Sequence, residues 1–267
     1  MVKRDVSTSL DIEIQAPSIL EFQITVARQE GLDVTESLSF ELDGRTVGPQ
    51  EILGPHGTRI HKIDCDSGNL RVRYDATVRN NAFVVPTSDY DLSVYLRPSR
   101  YAESDKFLGF AATEFGYVAS ADLPVAVSNW VGSRISYVAG SSDPIDGAAE
   151  TLLSGAGVCR DFAHLVVALL RALNVPARLV AVYAPECVPM DFHAVAEVYH
   201  EGGWRIVDAT GLAPRLTMVR IATGRDASDV AFLDNHGGDI VLTGMSVTAT
   251  ADEPPPPDNG TDRISMW

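Results

Sequence analysis

The sequence has little cysteine, no long apolar run and a shortage of basic residues, and each lack excludes something. Its three cysteines, Cys65, Cys159 and Cys187, are too few and too scattered for a disulfide framework. A reducing, cytoplasmic setting is the corresponding expectation. No apolar stretch reaches the length of a membrane span, and the opening MVKRDVSTSLDIEI lacks the apolar segment of a signal peptide. Lysine and arginine total 21 against 36 aspartate and glutamate, a formal net charge of −15. That excess argues against nucleic acid and anionic membranes as partners, and it repels strongly acidic substrates. What the 267 residues do have is 45% hydrophobic composition, enough for a substantial core in one or two domains.

Residues 1–96 read as β. Leu10, Ile12 and Ile14 alternate with polar residues, as do Leu20 to Val26, Leu38 to Leu42 and Leu70 to Val78. Turn-rich breaks such as Leu42-Asp43-Gly44 separate them, which predicts an antiparallel sandwich-like domain with one wet face. No chemical constellation stands out there. His56 and His61 read as solvated or structural, and Cys65 has no second ligand at metal spacing. After Pro98-Ser99-Arg100-Tyr101 the pattern turns helical, over residues 103–116, 122–136 and 145–153. Trp130 sits in the second stripe and reads as core packing rather than a substrate platform.

The chain is organised around GVCRDFAHLVVALLRALNVP, residues 157–176. Phe162, Leu165, Val166, Leu169 and Leu173 fall at helical spacing, and Asn174 and Pro176 stop the helix. Cys159 therefore sits at a helix N-terminus, where free backbone N–H groups and the dipole favour a thiolate. A buried structural cysteine is the bland alternative. After Pro176 the period switches to two. Residues 178–184, 193–199 and 204–208 read as strands, so residues 97–249 are expected to form an α+β domain that includes a strand near 239–249. The Pro-rich tail, residues 250–267, is expected to be disordered or extended.

His193 opens one of these strands and Asp208 ends another. A Cys, a His and an Asp can form a thiolate–imidazolium pair oriented by a carboxylate, suited to attack on a peptide, amide or ester carbonyl. A strict Gly202-Gly203 turn would pair Glu201 with Trp204 and leave Asp208 about 13 Å along the strand from His193. A longer turn, a bulge or another pairing is needed to bring them together. Glu197 shares the His193 face and has either a tuning or a structural role. Asp161 and His164 are expected to tie the helix start to nearby backbone. Arg225, Asp226 and Asp229 lie in a Gly-led loop suited to capping. Cys187 and His200 could be grouped with Cys159 and His193 as a zinc set, but no Cys-x-x-Cys spacing supports it. No cofactor and no metal are expected.

GVCRDFA, LLRALNVPARLVAVY, HAVAEVY and WRIVDAT together resemble the transglutaminase-like superfamily of papain-related cysteine enzymes, with Pro98–Tyr101 and GRDASDV extending the likeness. The family often has Trp where Val195 stands, and Pro and Asn where Ala209 and Gly211 stand. The resemblance implies Cys159 as nucleophile, His193 as general acid/base and Asp208 as its orienter. The fold it implies is a core helix packed on an antiparallel sheet. It implies a peptide or protein substrate and an acyl-transfer reaction: hydrolysis as a cysteine peptidase or amidase, or protein crosslinking. A non-catalytic binding module that keeps the fold is the other alternative.

Overall fold

The structure is a computed structural model that describes residues 2–84 and 86–266. Its N-terminal part consists of strands β1 (Arg4–Ile14), β2 (Ser18–Phe22), β3 (Asp33–Leu42), β4 (Arg45–Val47), β5 (Gln50–Leu53), β6 (Arg59–Cys65) and β7 (Gly68–Arg79). Alternation of side chains builds the sheets. In β1 every second residue from Arg4 to Ile14 is buried, and β7 repeats the pattern from Leu70 to Val78. Phe22 of β2 meets Phe40 of β3 edge-on, ring centroids 5.4 Å apart, across the gap between two sheets.

The helical part holds α1 (Asp89–Val94), α2 (Leu108–Phe115), α3 (Leu123–Arg134), α4 (Ala148–Ser154) and α5 (Cys159–Ala172). A short parallel pair, β8 (Ser136–Tyr137) and β9 (Ala156–Gly157), brackets α4. Helix α5 is buried all round: Val167, Ala168 and Leu170, off the predicted stripe, are as inaccessible as Leu165 and Leu169. Such a helix belongs at the centre of a layered domain. It packs against α2, α3 and α4, and against β10 (Ala177–Tyr183) and β11 (His193–His200). Asn174, at φ 59°, closes it. The Asn174 N–H bonds the Arg171 carbonyl at 3.0 Å and the Val175 N–H bonds the Leu170 carbonyl at 2.9 Å, a Schellman stop.

Strands β10 and β11 join β12 (Gly203–Val207) and β13 (Val219–Gly224) in an antiparallel sheet of order β12-β11-β10-β13. The last two strands go elsewhere. β14 (Leu233–Gly237) pairs with β2, and β15 (Ile240–Ala251) runs the length of β1, Arg4 opposite Ala251 and Ile14 opposite Ile240. The sandwich sheets thus read β15-β1-β7-β3-β4 and β14-β2-β6-β5. The expected boundary at residue 249 is corrected: residues 233–251 complete the N-terminal sheets. Alternation announces a strand but not its partner, and a pairing across the whole chain leaves no local trace. The β assignment of residues 89–94 is corrected likewise; Ser88 caps α1 there, its side chain accepting the Asp91 N–H.

The tail is also held. Ile264 and Met266 are buried beside Ile206 and Met218, the Ile206 N–H donates to the Ile264 carbonyl at 2.7 Å, and Arg215 clamps Asp258 at 2.8 Å. The Pro-rich run itself has little to pack, but the apolar residues after it do. Sandwich and central sheet share one core. Leu179, Val219 and Ile221 cluster with Leu10, Phe22 and Tyr74. The Tyr183 hydroxyl donates to the Ile24 carbonyl at 2.5 Å and meets the Thr8 hydroxyl at 2.6 Å.

Candidate active site

Cys159 is the first residue of α5. The preceding Val158 has no side-chain acceptor to cap the helix, so Asp161 reaches back and accepts the Val158 N–H at 2.8 Å. Among the described residues the amides of Cys159 and Arg160 have no acceptor, as the first turn of a helix dictates. Gly157 is required by this approach: a Cβ there would lie 2.7 Å from the Asp161 Cβ. Arg160 pairs with Asp161 at 3.0 Å and donates to the Ser142 hydroxyl and the Asp143 carbonyl, tying down the loop before α4.

The hairpin between β11 and β12 brings His193 and Asp208 together. Glu201 and Gly202 both have positive φ, 48° and 78°, and enclose a two-residue turn with His200 opposite Gly203. The turn is one residue earlier than Gly202-Gly203. Continued, this register sets Thr210 opposite His193, so Asp208 is two residues off, about 7 Å rather than about 13 Å. The ladder ends at Val207, which frees the Asp208 side chain to cross that distance.

His193 Nε2 lies 2.8 Å from Asp208 Oδ2, with the two side chains 1% and 3% exposed. Thr210 holds the other carboxylate oxygen, through its N–H at 2.9 Å and its hydroxyl at 2.7 Å. Nδ1 is then the nitrogen left for Cys159, whose thiol faces the Phe192 carbonyl at 3.9 Å. Burial alone would lower the His193 pKa; the Asp208 carboxylate reverses this and, with the neighbouring Cys159 sulfur as acceptor, holds it well above 6.5. Burial would likewise raise Asp208, and the facing imidazolium with Thr210 keeps it low. Both directions describe an ion pair. Cys65 and Cys187 are buried, and burial is the main cause raising their thiols; Cys159 is half-buried.

The remaining residues singled out by the sequence are structural. Glu197 is sealed between Arg178 at 2.7 Å and Arg220 at 2.6 Å; despite burial, the two guanidiniums hold it at about 2. His164 Nε2 accepts the Ala227 N–H at 3.1 Å, and burial lowers its pKa to about 4, keeping the ring neutral. Asp226 accepts the Tyr101 N–H at 2.8 Å and the Ser228 N–H at 2.9 Å, joining the Pro98–Tyr101 and GRDASDV segments. Trp130 packs edge-on against Phe110 and Phe115. His56 bonds the Tyr95 hydroxyl at 2.9 Å, and His61 is buried. Among the described residues no group of three or more His, Cys, Asp or Glu is placed to hold a metal ion. Sequence reasoning missed Thr210 and Gly132, where a Cβ would stand 2.7 Å from the Ala209 carbonyl oxygen beside Asp208. The Asp-x-Thr spacing, which favours a side-chain-to-backbone turn, was the available signal for Thr210.

Residues 112–209 match the family model of the transglutaminase-like superfamily. A candidate cysteine protease of known crystal structure from Cytophaga hutchinsonii is 32% identical, with 99% of this chain and 96% of that one aligned at a TM-score of 0.89. An uncharacterized protein of Mycobacterium leprae is 28% identical over 194 residues, 70% of this chain and 63% of that protein, so the chain spans less than two thirds of that relative. The chain belongs to the transglutaminase-like superfamily. No helix among the described residues is long and apolar enough to cross a membrane.

Proposed function

We propose that the protein is a cysteine-dependent acyl-transfer enzyme acting on peptide or amide bonds, with hydrolysis as its main outcome. The observation that carries this reading is the sealed His193–Asp208 pair, 2.8 Å across, beside a half-buried Cys159 at a helix N-terminus. The Cys159 thiolate attacks the carbonyl carbon, and the displaced electron pair moves onto oxygen facing the Cys159 N–H. His193 protonates the leaving amine; the neutral ring then takes a proton from water as it attacks the thioester. Asp208 fixes the ring and stabilises its cationic form. The description of the Cytophaga hutchinsonii relative as a candidate cysteine protease supports the reading. Three free thiols support a reducing, cytoplasmic setting.

Hydrolysis stands ahead of crosslinking because water is always present, whereas transamidation needs a site that admits an amine and limits water. The test offers a glutamine-containing peptide with and without a primary amine and reads the products by mass spectrometry. Hydrolysed product that disappears in Cys159→Ala is expected. Amine incorporation exceeding hydrolysis would reverse the order of the two reactions. If iodoacetamide labels Cys159 no faster than Cys65 and Cys187, the chain is instead a binding module.

A further inference from the structure

Two loops flank Cys159, and neither has a free cation. Residues 135–159 and 179–204 contain no lysine or arginine. Arg160, beside the nucleophile, is held by Asp161, the Ser142 hydroxyl and the Asp143 carbonyl, which ties the loop before α4 to the start of α5. The other loop joins β10 to β11 and ends at Phe192, whose carbonyl lies 3.9 Å from the Cys159 thiol. Both loops carry carboxylates. Asp143 accepts the Ile145 N–H at 3.2 Å, Asp146 the Asp143 N–H at 2.8 Å and Asp191 the Phe192 N–H at 2.7 Å, while Glu186 is exposed. Among the described residues none of these four carboxylates is paired with a lysine or arginine.

The same loops also expose apolar side chains. Ile145 is 66% exposed, Val188 73% and Met190 37%. A single exposed apolar residue is ordinary, but three on the two segments beside a nucleophile mark where a ligand rests. We propose that the substrate is a cationic, apolar peptide segment, with a large apolar side chain against Ile145, Val188 and Met190 and lysine or arginine on either side of it facing the four carboxylates; this rests on the acyl-transfer reading above. Charge complementarity selects this occupant. An acidic peptide meets repulsion from both loops and finds no cation to offset it, whereas a basic one supplies the partners the carboxylates lack. Each exposed pair contributes little, so the preference comes from several carboxylates acting together.

The experiment uses short peptides with a Leu-Gln-Leu centre flanked by lysine, serine or glutamate, and a lysine-flanked Ser-Gln-Ser control. Two readouts are taken on the full chain: protection of Cys159 from iodoacetamide, which reports binding, and hydrolysis by mass spectrometry with Cys159→Ala subtracted. The lysine-flanked Leu-Gln-Leu peptide should protect at about 10-fold lower concentration than the serine-flanked one, and the glutamate-flanked peptide should protect least. The advantage should shrink in about 0.5 M salt, and Glu186→Gln with Asp191→Asn should bring the lysine-flanked peptide towards the level of the serine-flanked one. Equal protection by all three flanks, or none by any, would overturn the proposal. Protection by the Ser-Gln-Ser control equal to that by its Leu-Gln-Leu counterpart would overturn it as well, since the apolar side chains would then select nothing. Protection by the lysine-flanked peptide without any hydrolysis would sink the acyl-transfer reading, and the peptide as substrate with it.

Discussion

An imidazolium and a carboxylate that exclude water from one another make the charge of each depend on the other. The folded pKa of His193 lies above its ordinary 6.5, so its stabilisation is complete below that value and is lost as pH rises through the higher folded one. The folded pKa of Asp208 lies below 3.8, so its share is present above 3.8 and is lost as pH falls through the lower folded value. Between those limits the pair is intact. Asp208→Asn removes the charge that holds His193 high, so the alkaline limb of kcat/KM should move to lower pH, and turnover should fall about 100-fold. A pH–rate profile that keeps its alkaline limb would show that Asp208 does not set the ring. At this scale the sequence made two placements legible, Cys159 at a helix start and His193 with Asp208 on neighbouring strands. Thr210 was signalled only by its spacing from Asp208, because holding a carboxylate oxygen is a matter of where a hydroxyl points.

At the scale of elements, the central helix is readable from end to end, since its periodicity and its stop are local. Asn174 occupies the left-handed region at φ 59°, where Asn and Gly are tolerated and a Cβ without a polar arm is not. Asn174→Ala should cost about 1 kcal/mol, with Asn174→Gly close to neutral, as read by urea unfolding. Equal losses for both would place the value of Asn174 in its side chain rather than its backbone angle. The β11–β12 hairpin was harder to read. Glu201-Gly202 and Gly202-Gly203 are both acceptable two-residue turns, and only the sheet, with Tyr199 opposite Trp204, chooses between them. That one-residue choice decides whether Asp208 can reach His193.

For the whole molecule, the feature the sequence hid is that the C-terminal strands belong with the N-terminal ones. Strand alternation is a property of a dozen residues, while the meeting of Arg4 with Ala251 is a property of the complete chain. The tail after them was hidden for a similar reason, its two anchors following a run of prolines. Truncation after Asp252 strips Ile264 and Met266 from their cluster and Asp258 from Arg215, and bares the outer edge of β12. Burial of the two apolar side chains alone stabilises by about 3–6 kcal/mol, so a drop of that order in unfolding free energy is expected by denaturant titration. A shortened chain as stable as the full one would show that the tail rests on the surface without supporting it.

The pairing of β1 with β15 also orders events in time. The strand β7 that pairs with one edge of β1, Arg4 opposite Val78, is made long before β15, so the other edge of β1 has no partner until β15 has left the ribosome. An eleven-residue strand with an unpaired row of amides and carbonyls is a template for any passing chain. Shielding that edge while the middle of the chain is made is a requirement separate from the stability of the finished fold.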